Sequence, residues 1–362
     1  MTHVDIAHSR LLHQHIAGAR FERPDEVVRW MGAMQAQDYQ QALWAVGLRM
    51  RAPTLASVEA ALASGTIVLT WPLRGTLHFA AAENVRWMLE LLAPRRVAAD
   101  QTRRRQLELD EPTLERCARL FREALAGGQR LSRAALMRLL EGAQTNPTGQ
   151  RGYHILWYLA QTGLICLGPR QGKEQTFVLL DEWAPVSRRL TREAALAELA
   201  GGYFASHGPA TVADFATWAG LTLTDARAGL ETATPSLVPE RYDGKEYWRS
   251  ADAGDAPLDA STVYLLPGFD EYLLGYKDRS DVLATEHAGK VAPGGNGVFF
   301  PIIVVDGQVV GTWKRTVKKD TVAVTITLFT DAGVSSERVV EAAQRYSDFI
   351  GLALSSTHVT GD

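Results

Sequence analysis

Gly208–Ser250 reads GPATVADFATWAGLTLTDARAGLETATPSLVPERYDGKEYWRS. Thr211 followed three residues later by Asp214 is the signature of a capping box, so a short helix is expected to start there and to stop near Gly220-Leu221. Thr222 with Asp225 opens a second helix in the same way, running to about Ala233. Leu237 to Tyr242 and Glu246 to Arg249 then flank Asp243-Gly244, the dipeptide that best supplies the positive φ angles of a two-residue hairpin turn. Helix, tight turn, helix and hairpin in that order make a winged helix.

Upstream the same order occurs twice more, without detectable sequence repetition. Between Arg130 and Leu180, Ser132 caps a helix through Leu140, and a second helix from about Thr148 to Gln161 carries Ile155, Leu156 and Leu159 at core spacing. Gly163 ends it, and the strands Leu164 to Leu167 and Gln175 to Leu180 flank the polar turn P-R-Q-G-K-E. Nearer the N-terminus, helices are expected around Asp25 to Gln35, Gln40 to Arg49 and Thr54 to Ser64, then strands Ile67 to Trp71 and Thr76 to Ala80 across P-L-R-G. From about Pro257 the character changes to β-branched and aromatic runs: Val263 to Leu266, Phe299 to Val305, Gln308 to Trp313 and Val322 to Phe329, with Asp306-Gly307 as a hairpin turn. A helix from Ser335 to Leu354 closes the chain, and Ser355 to Asp362 read as a frayed tail. The chain is therefore read as α+β, with three tandem winged-helix units at 1–103, 104–186 and 187–255 and a β-rich C-terminal domain with a terminal helix at 256–362.

Composition supports a globular, cytoplasmic protein: 46% of residues are hydrophobic, 22% are charged, and no uninterrupted apolar run of membrane-spanning length occurs. Cys117 and Cys166 have no C-x-x-C spacing or neighbouring His cluster, which argues against a disulfide framework or a zinc site. A formal charge of −3 is not the bulk signature of a nucleic-acid binder, so any DNA-binding face must be local. Candidates are Arg49 and Arg51, Arg95 and Arg96, Arg103 to Arg105, Arg188, Arg189 and Arg192, and Lys314, Arg315, Lys318 and Lys319. Taken singly, each also reads as a solvated face.

Common catalytic constellations are missing: the sequence contains no G-x-S-x-G elbow, H-E-x-x-H, Walker loop or strand-following G-x-G-x-x-G. Asp270 and Glu271 are adjacent, and in an extended segment they point to opposite faces, with Lys277 or Arg279 as ion-pair partners. Asp38 follows Gln35-Ala36-Gln37, whose two glutamines share a face only if the segment is extended or ends a helix.

Four long strings then carry a resemblance over nearly the whole chain. M-Q-A-Q-D-Y with A-L-W, T-W-P-L-R-G-T-L-H, L-L-P-G-F-D-E-Y-L-L-G-Y-K-D-R, and F-F-P-I-I-V-V-D-G-Q-V-V-G-T-W-K-R together resemble the AlkZ/YcaQ-like winged-helix DNA glycosylases. The resemblance implies a C-shaped molecule of three winged helices with a C-terminal β-barrel. It also implies removal of N7-alkylguanine and related adducts, including interstrand crosslinks, in alkylation repair or self-resistance to an alkylating natural product. Gln35 and Gln37 match the family's catalytic Gln-x-Gln signature, with Gln37 expected to hold the water and Gln35 to position water and sugar-phosphate. DNA contacts are expected from Asp38, Tyr39, Arg74 and Thr76 near the motif and hairpin. In the C-terminal domain they are expected from Tyr272, Lys277, Arg279, Lys314 and Arg315, with Trp313 beside them, while His78 is expected to be a packed strand residue. The implied partner is double-stranded DNA carrying alkylated or crosslinked bases; no metal or cofactor is expected, and the oligomeric state, with a monomer the first expectation, is left open. Two rivals remain open: a non-catalytic winged-helix regulator or scaffold, and a carboxylate-based hydrolase using Asp38 or Asp270.

Overall fold

The computed structural model describes residues 3–252, 262–295, 297–330 and 333–361. The boundary expected between residues 255 and 256 lies outside the described residues. By packing, the chain divides into two compact units, Met1–Glu59 with Ala197–Asp362, and Ala60–Leu196.

In the first unit the capping signals act as the sequence predicts. Thr211 Oγ1 accepts from the Asp214 backbone N–H at 3.2 Å, and Asp214 Oδ2 accepts in return from the Thr211 N–H at 2.9 Å, which starts the helix Val212–Ala219. Gly220, at φ 71°, ends it. Thr222 Oγ1 accepts from the Asp225 N–H at 3.0 Å and opens Leu223–Ala233. The hairpin Leu237–Tyr242 and Lys245–Ser250 turns through Asp243 at φ 46° and Gly244 at φ 73°, the pair of positive angles that a type I′ turn requires. Ala210, just before the first helix, bridges to Trp248 on the returning strand.

At the front of this unit, the helix expected to reach Gln35 stops earlier. It spans Pro24–Met31, because Gly32 at φ 73° breaks it, and Ala33–Gln35 continues as a short strand. The helix Tyr39–Leu48 follows.

The C-terminal β-structure is an open sheet rather than a barrel. Its five strands run in the order Ala353–Gly361, Thr321–Leu328, Gln308–Val317, Ile302–Val305, Val263–Leu266, so the first and last strands are edges and the sheet does not close among the described residues. Asp306 and Gly307, at φ 48° and 76°, form the expected hairpin turn. The closing helix spans Ser336–Ile350 and stops at Gly351 in the left-handed region. What reads as a frayed tail is the strand Ala353–Gly361, parallel to Thr321–Leu328. That strand escapes a hydrophobicity-based reading because its side chains are half-buried or exposed throughout, and backbone pairing holds it instead. Trp44, Trp313, Tyr346 and Phe349 pack ring against ring at 5.1–5.3 Å, tying the helix Tyr39–Leu48 and the sheet to the closing helix. A Cβ at Gly47 would lie 2.5 Å from the Phe349 ring, so the approach there requires glycine.

In the second unit, two hairpins join edge to edge. Ile67–Thr70 pairs with His78–Ala81, Ile165–Leu167 pairs with Thr176–Leu179, and Leu69 faces Leu167 across the junction. Leu131–Ser132 adds to the Thr176–Leu179 strand, and Ser132 then caps the helix Arg133–Gly142 by accepting from the Ala135 N–H at 3.2 Å. Asp110 caps Glu111–Leu125 in the same manner, and that helix buries Leu114, Cys117, Phe121 and Leu125 along one side. The helix Arg151–Gln161 closes the set and buries Ile155, Leu156 and Leu159, as its spacing predicts. Among the described residues no helix is long and apolar enough to cross a membrane.

Candidate active site

Gln35 ends the strand Ala33–Gln35, and Gln37 and Asp38 lead into the helix Tyr39–Leu48. Strand-like alternation governs this stretch: Gln35 is half-buried, Ala36 is buried, and Gln37 is exposed. Ala36 is thus packed inward between the two glutamines, and Gln37 lies outside the strand, in the bend that leads to the helix. Asp38, exposed, is the N-cap, accepting from the Gln41 N–H at 3.2 Å, and Tyr39 is half-buried at the first helical position.

Beneath the glutamines lies a buried polar network. Glu271, 1% exposed, accepts from the Gln35 backbone N–H through Oε1 and from the Trp218 indole through Oε2, both at 2.9 Å. Gly268, three residues earlier, donates its N–H to Gln41 Oε1 at 3.1 Å. The turn 268–271 thus holds the glutamine segment at both ends. Asp270 is also buried and pairs with Arg49 through two hydrogen bonds of 2.9 Å, and its Oδ1 caps the short helix Glu271–Leu274 by accepting from the Tyr272 N–H. Arg49 further donates to Ala45 O and to Gln14 Oε1, each at 2.8 Å. Both terminal nitrogens of Arg49 and both Asp270 oxygens are hydrogen-bonded, the condition for keeping such charges out of water, while Arg49 Nε is left without a hydrogen bond. His207, fully buried, stacks on Tyr203 at 4.7 Å and places Nε2 3.7 Å from Glu271. Burial lowers its pKa, and the Glu271 carboxylate only partly offsets this, so the ring is held neutral.

These contacts correct three expectations. Asp270 and Glu271 do not lie in an extended run. They cap and begin a helical turn, and Arg49 is the partner of Asp270. Tyr272 has no exposed surface, and its hydroxyl donates to Gly307 O at 2.7 Å, so it supports the packing and offers DNA nothing. Trp313 is likewise buried, donating to Leu266 O at 2.7 Å.

Lys277 is exposed, while its backbone N–H donates to the buried Asp214 carboxylate at 2.9 Å. Arg279 is half-buried, its Nε donating to Leu273 O at 2.7 Å and its guanidinium lying 4.9 Å from the Phe299 ring centroid. On the sheet, Lys314 is exposed and Arg315 lies 5.7 Å from the Tyr346 ring. The first unit thus gathers Gln35, Gln37, Asp38 and Tyr39 on one segment, with the turn 268–271 bonded to it.

Arg74 and Thr76 belong to the second unit, at the tip of the hairpin between Ile67–Thr70 and His78–Ala81. Arg74 at φ 52° and Gly75 at φ 73° form another type I′ turn, closed by Thr76 N–H donating to Leu73 O at 3.0 Å. Trp157 Nε1 donates to Gly75 O at 3.2 Å and fixes the tip against the helix Arg151–Gln161. Arg74 is half-buried, and the Thr76 hydroxyl is engaged with Leu73 O. His78 is fully buried, a packed strand histidine as expected.

Sequence reasoning missed Arg49, Glu271 and Trp218 as supports of the glutamine segment. A signal for the turn was present: Asp270 followed by Glu-Tyr-Leu-Leu is an N-cap ahead of a largely apolar helical turn. Which buried base would meet Asp270 is a long-range fact that spacing does not encode.

A family model described as DNA glycosylase AlkZ-like matches residues 28–349. An interstrand DNA cross-link repair glycosylase of Streptomyces sahachiroi is 28% identical over 308 residues, covering 80% of this chain and 81% of that protein. The solved Streptomyces sahachiroi DNA glycosylase AlkZ superposes with a TM-score of 0.84 at 24% identity, over 99% of both chains, a likeness of fold.

Proposed function

The chain belongs to the AlkZ-like DNA glycosylase family, and from that premise we propose that it hydrolyses the N-glycosidic bond of N7-alkylated purines in duplex DNA, with Gln35 and Gln37 as the catalytic pair. The observation that supports this reading is the glutamine segment itself: Gln35 half-buried at a strand end and Gln37 exposed in the connection to the next helix, with Ala36 buried between them and the Gln35 N–H tied to a buried carboxylate.

Two neutral amides suffice because of the substrate. Alkylation at N7 makes the purine cationic, so when the C1′–N9 bond breaks, its electron pair moves onto the base and neutralises that charge. No general acid is needed for departure. The sugar is left with oxocarbenium character, a water oxygen bonds to C1′, and the surplus proton passes to solvent. An amide oxygen can orient that water and stabilise the developing positive charge, a task of preorganisation rather than proton transfer. Gln37, exposed, is assigned chiefly to the water, and Gln35 to water and sugar-phosphate positioning. The helix–helix–hairpin segments serve as winged helices on the duplex, with Arg74, Lys277, Arg279, Lys314 and Arg315 toward the phosphates, and Asp38, Tyr39 and Thr76 beside the lesion.

The Streptomyces sahachiroi relative is by name an interstrand cross-link repair glycosylase. A crosslink is too bulky for a tight pocket, so an open site for unhooking crosslinks, in repair or self-resistance, is the extension of this reading. The carboxylate-based alternative loses Asp270, which is 3% exposed and locked to Arg49.

The test is single-turnover release of N7-methylguanine from duplex DNA. Gln35→Ala and Gln37→Ala are each expected to slow it on the order of 10²-fold. Release at the parental rate by the double variant overturns the assignment. A regulator or scaffold would bind chosen sequences and free no base.

A further inference from the structure

Phe269 lies in the turn that holds the glutamine segment, with Gly268 bonded to Gln41 on one side and Glu271 bonded to Gln35 on the other. Its φ is 61°, a region that a bulky L-residue seldom adopts and that glycine enters freely. Backbone strain of this kind persists where the surroundings impose it, and it concentrates at functional sites. The side chain is half-buried, so part of the ring is left open to solvent.

What surrounds it is aromatic and cationic. The Phe269 and Phe299 rings meet edge to face at 6.4 Å, the Arg279 guanidinium lies 4.9 Å from the Phe299 centroid, and Phe300 is 44% exposed. The patch has backbone anchors. A Cβ at Gly268 would lie 2.7 Å from Phe299 O, so the turn sits directly against the segment that leads into the strand Ile302–Val305, and the Phe300 N–H donates to Val291 O at 2.9 Å. Aromatic rings with a neighbouring guanidinium are the surface on which unstacked nucleobases rest, in a sequence-tolerant manner because every base has a π-face.

We propose that Phe269, backed by Phe299 and Arg279, is a substrate-contacting residue that stacks on a nucleobase at or beside the lesion while Gln35 and Gln37 address the sugar. The inference rests on the glycosylase reading above and extends it to how the enzyme grips DNA next to the scissile bond. It also gives a reason for phenylalanine where the backbone would favour glycine.

The discriminating variant is Phe269→Gly, which relieves the backbone strain while deleting the ring. Phe269→Asn, another residue that tolerates positive φ, serves as its duplicate should the glycine variant not fold. Phe269→Trp restores an aromatic face. Two readouts are made on duplex DNA containing N7-methylguanine with 2-aminopurine as its neighbour: the single-turnover rate of base release, and the change in 2-aminopurine emission on binding.

The expected result is a glycine variant with an unfolding midpoint at or above the parent's, release slowed roughly tenfold to a hundredfold, and most of the emission change lost. Phe269→Trp is expected to recover both signals. A folded glycine or asparagine variant that matches the parent in both readouts overturns the proposal. Should the parent bind and alter emission through Phe269 yet free no base, the stacking role stands and the glycosylase reading falls.

Discussion

Asp270 shows how much of this site is held by charge kept dry. It is bonded twice to a fully buried Arg49, so Asp270→Asn leaves a guanidinium without its counter-charge in the interior. A loss of about 3–5 kcal/mol is expected, measured by chemical denaturation against the parent. Two residues further in the network, His207 is buried and its pKa is lowered by desolvation. The sign follows from linkage. Below about pH 6.5 the unfolded chain takes up a proton that the folded one resists, so this stability is full above that pH and is lost as pH falls toward the folded pKa. His15 shifts in the same direction, also through burial. Denaturation midpoints at pH 7.5 and 5.5 should therefore fall on acidification, and His207→Gln should flatten the slope. Of these residues the sequence displayed Gln35 and Gln37, because a short motif carries their identity. Their support by Glu271 stayed hidden, since 236 positions separate it from Gln35 and no local period links the two.

Capping and turn chemistry made most elements readable. Thr211 with Asp214, Thr222 with Asp225, Ser132, and the Asp-Gly pairs at 243–244 and 306–307 all act where the sequence places them. Several helices, among them Val85–Ala99, Glu111–Leu125 and Arg192–His207, were not read from the sequence at all, and two segments that were read came out differently. The helix from Pro24 stops at Met31 because one glycine at positive φ outweighs a favourable run, and this places Gln35 at a strand end rather than a helix end. At the other end, Ala353–Gly361 has too little apolar alternation to announce itself and exists because Thr321–Leu328 offers it a partner. Among the turns, the hairpin tip at Arg74-Gly75 offers the cleanest test. Gly75 has φ 73°, and a Cβ there would meet the Trp157 ring at 3.3 Å. Gly75→Ala should cost about 1 kcal/mol or more by thermal or chemical unfolding, with slower base release if Arg74 reaches DNA.

For the whole chain, a formal charge of −3 means that attraction to a polyanion must come from local groups, the role proposed for Lys277, Lys314 and Arg74. Binding to undamaged duplex should be only weakly dependent on sequence, and the logarithm of affinity should fall linearly with the logarithm of salt, by about 0.9 for every phosphate neutralised. Fluorescence anisotropy over a salt series checks both points, and a salt-independent, sequence-selective profile would favour a regulator. The order of the capped helices and their hairpins was legible from sequence, whereas the grouping of elements was not. The joining of two hairpins through Leu69 and Leu167, within Ala60–Leu196, depends on pairing between segments nearly a hundred residues apart. The outermost ribbon of the C-terminal sheet carries a practical warning. Trimming Ser355 onward as dispensable would strip Thr321–Leu328 of its neighbour and bare a row of unpaired amides and carbonyls, an adhesive margin that invites molecules to stick to one another. A purification handle fused directly to that ribbon would crowd the same margin.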